Sequence, residues 1–141
     1  MTVVEGTAYW ASVKVPNTNF EPMYTVNLVV EPDVAEDFKS QGFHIKDMEE
    51  GPAVIIKRKV NGPNGMIRRS PDLLDRQKQP IDVTVGNGSR VKVMWRHSQY
   101  AGGGGIINRA ELVAVQVVEL VEYSEAASAD ATDQAIASAE F

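Results

Sequence analysis

A chain of 141 residues with a formal net charge of -5 and 43% hydrophobic residues is sized for one domain around a single core. It contains no cysteine and only two histidines, which excludes a disulfide framework and a thiolate metal centre and argues against a structural zinc site. No apolar run approaches the ~20 residues that cross a bilayer, and Met1-Thr2-Val3-Val4-Glu5 lacks the basic and apolar parts of a signal peptide, so a soluble intracellular protein without membrane contacts is expected.

Period-two alternation, with β-branched and aromatic residues in runs bounded by glycine, proline and asparagine, predicts a mostly β domain. The first strand runs from about Thr7 to Val15, with Tyr9, Ala11, Val13 and Val15 on the core face and Trp10, Ser12 and Lys14 on the other. Pro16-Asn17-Thr18-Asn19 breaks it. The second, about Met23 to Glu31, turns Tyr24, Val26, Leu28 and Val30 inward and pairs with the first. Asp33 as a cap, with Glu36 three residues later, predicts a short helix that Phe38 anchors and Gly42 stops.

Ala53 to Val60 reads as a third strand, apolar at Val54, Ile55 and Ile56 and basic at Lys57, Arg58 and Lys59. Asn61 to Pro80 is rich in turn signals and reads as a long excursion with at most a helical turn at about Asp72 to Gln77. Ile81 to Val85 leads into the turn Gly86-Asn87-Gly88-Ser89, which reverses the chain into Arg90 to His97. There Val91, Val93 and Trp95 alternate with Arg90, Lys92, Met94 and Arg96, so one face is apolar and the other basic. Gly102 to Gly105 forms a flexible tip, and Ala110 to Tyr123 is a valine-rich closing strand. The predicted fold is mainly β: a five-stranded barrel of the oligonucleotide/oligosaccharide-binding (OB) type with one short helix and long loops, a β-sandwich being the main alternative.

The charge is unevenly placed. From Lys57 to Arg109 eleven basic residues face three acids, a local balance of 11 minus 3, or +8. From Ser124 onward there is no lysine or arginine; four acids (Glu125, Asp130, Asp133, Glu140) are spread among alanine and serine, and the stretch ends in Phe141. It has too little apolar surface to offset the entropy of ordering, so the expected organisation is a domain over 1–123 and a flexible acidic tail over 124–141. A basic surface beside an acidic tail suits a protein that binds a polyanion with one part and a partner with the other.

Single-stranded nucleic acid is held by cations that track phosphates and by rings on which bases stack. The candidates are Trp10, Lys14, Lys57, Lys59, Arg90, Lys92, Arg96 and Tyr100. Against this, alternation places Trp95, Tyr9 and Tyr24 in the core, Trp10 divides evenly between core and stacking surface, and Arg58 is expected to face inward and be paired. Arg68 and Arg69 read equally well as mobile loop charge, and Gly102 to Gly105 lacks the pattern of a phosphate-binding loop. Glu49-Glu50 and Asp72 with Asp75 lie in polar loops, no Ser-His-Asp set is suggested, and the expectation is a protein without catalytic residues, cofactor or metal.

Taken in order, Tyr9-Trp10-Ala11, the Gly86-Asn87-Gly88-Ser89-x-Val91 turn and strand, the flanking basic strands, the long last strand and the acidic tail ending in Phe141 resemble the single-stranded DNA-binding proteins of lytic tailed bacteriophages. The likeness spans nearly the whole chain. It implies an OB-fold protein that coats and protects single strands without sequence specificity during phage replication and recombination, in the cytoplasm of an infected host. It also implies that the tail, with Glu140 and Phe141, recruits partners such as the phage DNA polymerase and competes for the protein's own DNA groove. This tail is more dilute in acid than the family's dense block. Homo-oligomers are compatible with the reading. The alternatives are a non-enzymatic β-barrel structural or adaptor protein and an RNA-binding OB-fold.

Overall fold

The computed structural model describes residues 2–19 and 21–121; the expected tail over 124–141, including Glu140 and Phe141, lies outside them. Seven strands and one helix follow in the order β1 (Thr2–Asn17), β2 (Met23–Val29), α1 (Pro32–Ser40), β3 (Ile45–Met48), β4 (Gly51–Lys59), β5 (Asp72–Leu74), β6 (Ser89–Gly102) and β7 (Gly105–Glu119). The sheet order β3-β4-β2-β1-β6-β7-β5 is closed by a parallel pairing of β4 with β7. Five strands thus form a closed barrel, β1-β2-β4-β7-β6, with the OB-type arrangement expected. β3 and β5 are appended to its outer strands.

Alternation fills the interior as predicted on β2 and β6: Tyr24, Val26 and Leu28, and Val91, Val93 and Trp95, are buried. β1 behaves differently. Its inward residues are Val4, Gly6 and Ala8 at the start and Val13 after a bulge between Tyr9 and Ser12. The extra residue reverses which face points inward, so Tyr9 before it is only half-buried while Val13 after it is core; Val15, in the irregular stretch between the Ser12 and Asn17 pairs, is exposed, not core as alternation suggested. The strand also starts five residues earlier than predicted. Gly6 allows this, because a Cβ there would meet the Val29 carbonyl of β2.

The helix starts with Glu31 at the N-cap and Pro32 in the first turn, without a side-chain cap. Asp33 and Glu36 therefore do not form the expected capping pair; Asp33 favours the positive helix start instead. Its other end is as expected. Gly42 takes a φ of +93°, and the amides of Gly42 and Phe43 donate to the carbonyls of Lys39 and Phe38 at 3.0 Å each. That stop folds Phe43 onto Phe38, with ring centroids 5.5 Å apart, and both meet Trp95 at 5.4 and 5.2 Å. Three aromatic rings thus close one part of the barrel core. Among the described residues nothing accepts from the buried Trp95 Nε1.

Three segments depart from the sequence expectation, the first of them unassigned there. Ile45–Met48 forms a strand paired with β4. At Asp72–Leu74 the chain is a short strand parallel to β7, not a helical turn, because Leu73 is 2% exposed and anchors it to the core. Residues 81–85 run alongside without a ladder of their own, so the Gly86-to-Ser89 turn does not join a hairpin; β6 pairs with β1 and β7 instead. The hairpin is β6–β7, whose tip is the glycine run as predicted.

Removing one ring should unseat the other two. Phe38→Ala is expected to cost ~3–5 kcal/mol of folding stability, whereas Trp95→Phe, which discards the orphaned N–H, should cost less than about 1.5 kcal/mol. Urea denaturation of the two variants checks the ranking.

Candidate nucleic-acid interface

The bulge in β1 has a precise local cause. Between the Tyr9–Asn27 and Ser12–Thr25 pairs the strand carries one residue more than β2, and Trp10 absorbs it in the left-handed region with φ +52°. A bulky residue holds that conformation at a cost of ~1–3 kcal/mol, so something must support it. Asn87 does: its Oδ1 accepts from the Trp10 amide at 2.7 Å. The turn bearing Asn87 is fixed in its own right, with the Gly88 amide donating to the Ala8 carbonyl at 2.9 Å. The consequence is an indole 65% exposed. Trp10 is therefore a surface ring and not a core one, beside a shallow groove shared with Ser12, Asn17 and Thr84. Lys14 is exposed further along the same strand.

Strand register then carries this surface around the barrel. Ser12 is level with Thr25, Thr25 with Lys57, Lys57 with Glu111, and Glu111 with Arg96. Four of the sequence candidates, Trp10, Lys14, Lys57 and Arg96, belong to this band or flank it, and Lys59 follows Lys57 on β4. The band is not uniformly basic. Glu111, with a side chain 15% exposed, accepts from Arg58 Nη1 at 3.1 Å and from Arg96 Nη2 at 2.8 Å. Arg58 is paired, as expected, and also donates from Nε to the Arg69 carbonyl at 2.9 Å. Lys59 lies 3.5 Å from Glu21 and Arg90 2.9 Å from Glu5. Among the described residues Lys14, Lys57 and Lys92 make no ion pair. The more exposed pairs, Lys59 with Glu21 and Arg90 with Glu5, are weak enough to exchange a carboxylate for another anion, whereas the Glu111 carboxylate is mostly buried.

At Lys57 the band opens into a groove between β4, β7 and the loop after α1, lined by His44, Ile55, Lys57, Ile107, Asn108 and Arg109. The His97 ring stands 4.8 Å from that of Phe43, and its Nε2 bonds Asn108 Oδ1 at 2.7 Å, an acceptor shared with Gln99 Nε2 at 2.9 Å. Ile106 and Ile107 are 67% and 41% exposed. Cation, ring and apolar surface thus meet on the half of the β6–β7 hairpin towards its glycine tip. Of these residues only Lys57 was a sequence candidate. The adjacent Ile106 and Ile107, directly after a glycine tip, were the available signal for the rest.

Arg90 and Lys92 are not brought into this groove. Both lie on β6 beside β1 and Glu5. Tyr100 is level with Ile107 in the hairpin, and its side chain, like Glu140 and Phe141, lies outside the described residues. Among the described residues no cluster of three or more metal-ligating side chains occurs, and no helix is long and apolar enough to cross a membrane.

No protein-family model and no curated protein sequence matches the chain. Solved structures do. The chain superposes on gp2.5, a single-stranded DNA-binding protein encoded by bacteriophage T7, with a TM-score of 0.65 and 16% identity, over 87% of this chain and 94% of that one. It matches the single-stranded DNA-binding protein of bacteriophage Enc34 with a TM-score of 0.57 and 16% identity, over 93% and 89%. The same Enc34 protein in complex with single-stranded DNA matches with a TM-score of 0.55 and 14% identity, over 85% and 88%. At these identities what is shared is the fold, and it is the fold expected from the sequence.

If Asn87 supports the bulge, Asn87→Ala should lower stability by about 1 kcal/mol and shift the emission of Trp10, while Trp10→Ala should cost less than about 1 kcal/mol because its ring is outside the core. Denaturation curves and tryptophan emission of the two variants test this; a loss at Trp10 matching that of a core aromatic would contradict it.

Proposed function

We propose that the protein binds single-stranded DNA without sequence specificity, coating and protecting exposed strands during phage replication and recombination. The observation that carries this reading is the continuous outer band from Trp10 and Lys14 through Thr25 to Lys57, which opens into the groove of His44, Ile107 and Arg109. A stacking ring at one end, lysines that make no ion pair among the described residues along it, and a mixed apolar and cationic groove at the other are the parts single-strand binding needs. The strand face of an OB barrel is also where such ligands commonly lie. Trp10 and the groove surfaces stack bases, Lys14, Lys57, Lys59 and Arg96 neutralise phosphates, and Tyr100 adds a second ring near the hairpin tip. The barrel has no role in catalysis, and it works in the cytoplasm of the infected host.

The tail over 124–141 would serve the same surface. The chain runs towards it through Val121, whose carbonyl accepts from the Gly86 amide at 2.7 Å and from Ser89 Oγ at 3.1 Å, so the last described residue is held at the turn that supports Trp10. Acids placed there compete weakly with DNA, and Phe141 recruits a replication partner such as a polymerase.

Two outcomes are expected. Unstructured oligonucleotides should bind more tightly than duplex of any sequence, and Lys57→Glu should weaken binding and flatten its salt slope by about one unit; fluorescence titration at several salt concentrations reads both. Deleting 124–141 should leave the fold intact, tighten binding at low salt with a gain that fades as salt rises, and abolish partner capture. Equal affinity for duplex, or a truncated protein that binds no better and still captures partners, would count against the respective half of the reading.

A further inference from the structure

A second cationic groove lies away from the band just described, on the outside of β5, β6 and β7. Its cations are Arg76, Lys78 and Lys92, and its floor includes Val3, Leu74 and Met94. Val3 is 55% and Met94 37% exposed, so apolar surface lies open between three positive charges. Among the described residues no carboxylate lines it. Described acids on the neighbouring elements are engaged elsewhere: Glu5 with Arg90, Asp72 with Arg69, and Asp75 Oδ1 with the amides of Gln77 and Gln79 at 2.8 and 2.9 Å.

The rim is held in place by its own contacts. The Asp75 bonds close a tight turn in which Lys78 adopts φ +64° and donates its amide to the Asp75 carbonyl at 2.9 Å. From β7, Gln116 Nε2 donates to the Arg76 carbonyl at 3.1 Å and ties the turn to the barrel. Lys92 is level with Gln116 on the neighbouring strand. The groove also continues the first surface: Arg96 and Lys92 are both outward on β6, four residues or about 13 Å apart. That separation falls well within one bound segment, since a single OB barrel occupies ~4–16 nucleotides.

The geometry points to a second single-strand contact at this groove, in which Arg76, Lys78 and Lys92 hold phosphates and the Val3, Leu74 and Met94 floor receives a base, so that a long strand wraps from the β4–β7 groove along β6. This rests on the single-strand-binding reading above and extends it. An acidic peptide with an apolar side chain would also suit the charge, but the run of outward cations along β6 favours a ligand with repeated charges.

Arg76→Glu/Lys78→Glu and its neutral counterpart Arg76→Gln/Lys78→Gln test it by titration with long and short oligothymidylate. Both side chains are exposed, so folding should be unaffected; should the glutamate pair unfold the protein, the glutamine pair carries the same test. The expected result is a smaller occluded site and a salt slope shallower by about two units with the long strand, and unchanged affinity for the short one. An unchanged slope and site size with long DNA would overturn the inference, even if binding of an acidic aromatic peptide were lost. Failure of the unaltered protein to bind long oligothymidylate would instead remove the reading on which it rests.

Discussion

The barrel depends on one short seam. β4 and β7 run parallel and share only the pairs Ile56–Ala110 and Lys57–Glu111, yet without them the sheet would be an open, curved ribbon with β4 and β7 on opposite flanks. So brief a parallel ladder is a weak closure in itself. It is secured from both sides: inside, Ile56, Ala110 and Leu112 are buried together in the core; outside, Glu111 accepts from Arg58 on β4 and from Arg96 on β6, linking three strands through one carboxylate. The same closure sets Lys57 beside β7 and so creates the groove with His44 and Ile107. Stability and the candidate surface share one cause.

A second constraint acts through β1. The bulge at Trp10 changes which face of the strand points inward, so that Val4, Gly6 and Ala8 are buried before it and Val13 after it. A strand of 16 residues can then serve both β6 and β2 while curving around the core. The by-product is an indole directed outward and fixed by Asn87. Because Ser89 in that turn also receives the end of the described chain at Val121, the exposed ring, the turn and the last described residue are tied together.

Much of this was legible in the sequence and some was not, for definite reasons. β2 and β6 keep a strict two-residue period, and their faces were readable. β1 was not, since a bulge leaves no mark in composition and a single alternation assigned Tyr9 to the core. β3 and β5 were missed because each is short and takes its stability from partners: Ile45 from β4, Leu73 from β7. The helix end followed from Gly42, while its start was misplaced because Pro32 needs no cap of the predicted kind. The basic residues were visible as a block, but ion pairs between distant positions, Arg90 with Glu5 and Arg96 with Glu111, are set only by the barrel. Asn108 and Ile107 lie so far from Lys57 in sequence that only closure brings them together, while His44 arrives through the β3–β4 pairing.

The central claim is that single-stranded DNA lies on the outer band of β1, β2 and β4 and in the groove beside β7. Photocrosslinking of a bromodeoxyuridine-substituted oligonucleotide, followed by mass mapping of the adducts, tests it most directly. Adducts are expected at Trp10 and within the peptides bearing His44 and Ile107, and should disappear with excess unmodified single strand but not with excess duplex. Adducts confined to the exposed face of α1, or an equal loss with duplex, would contradict the account.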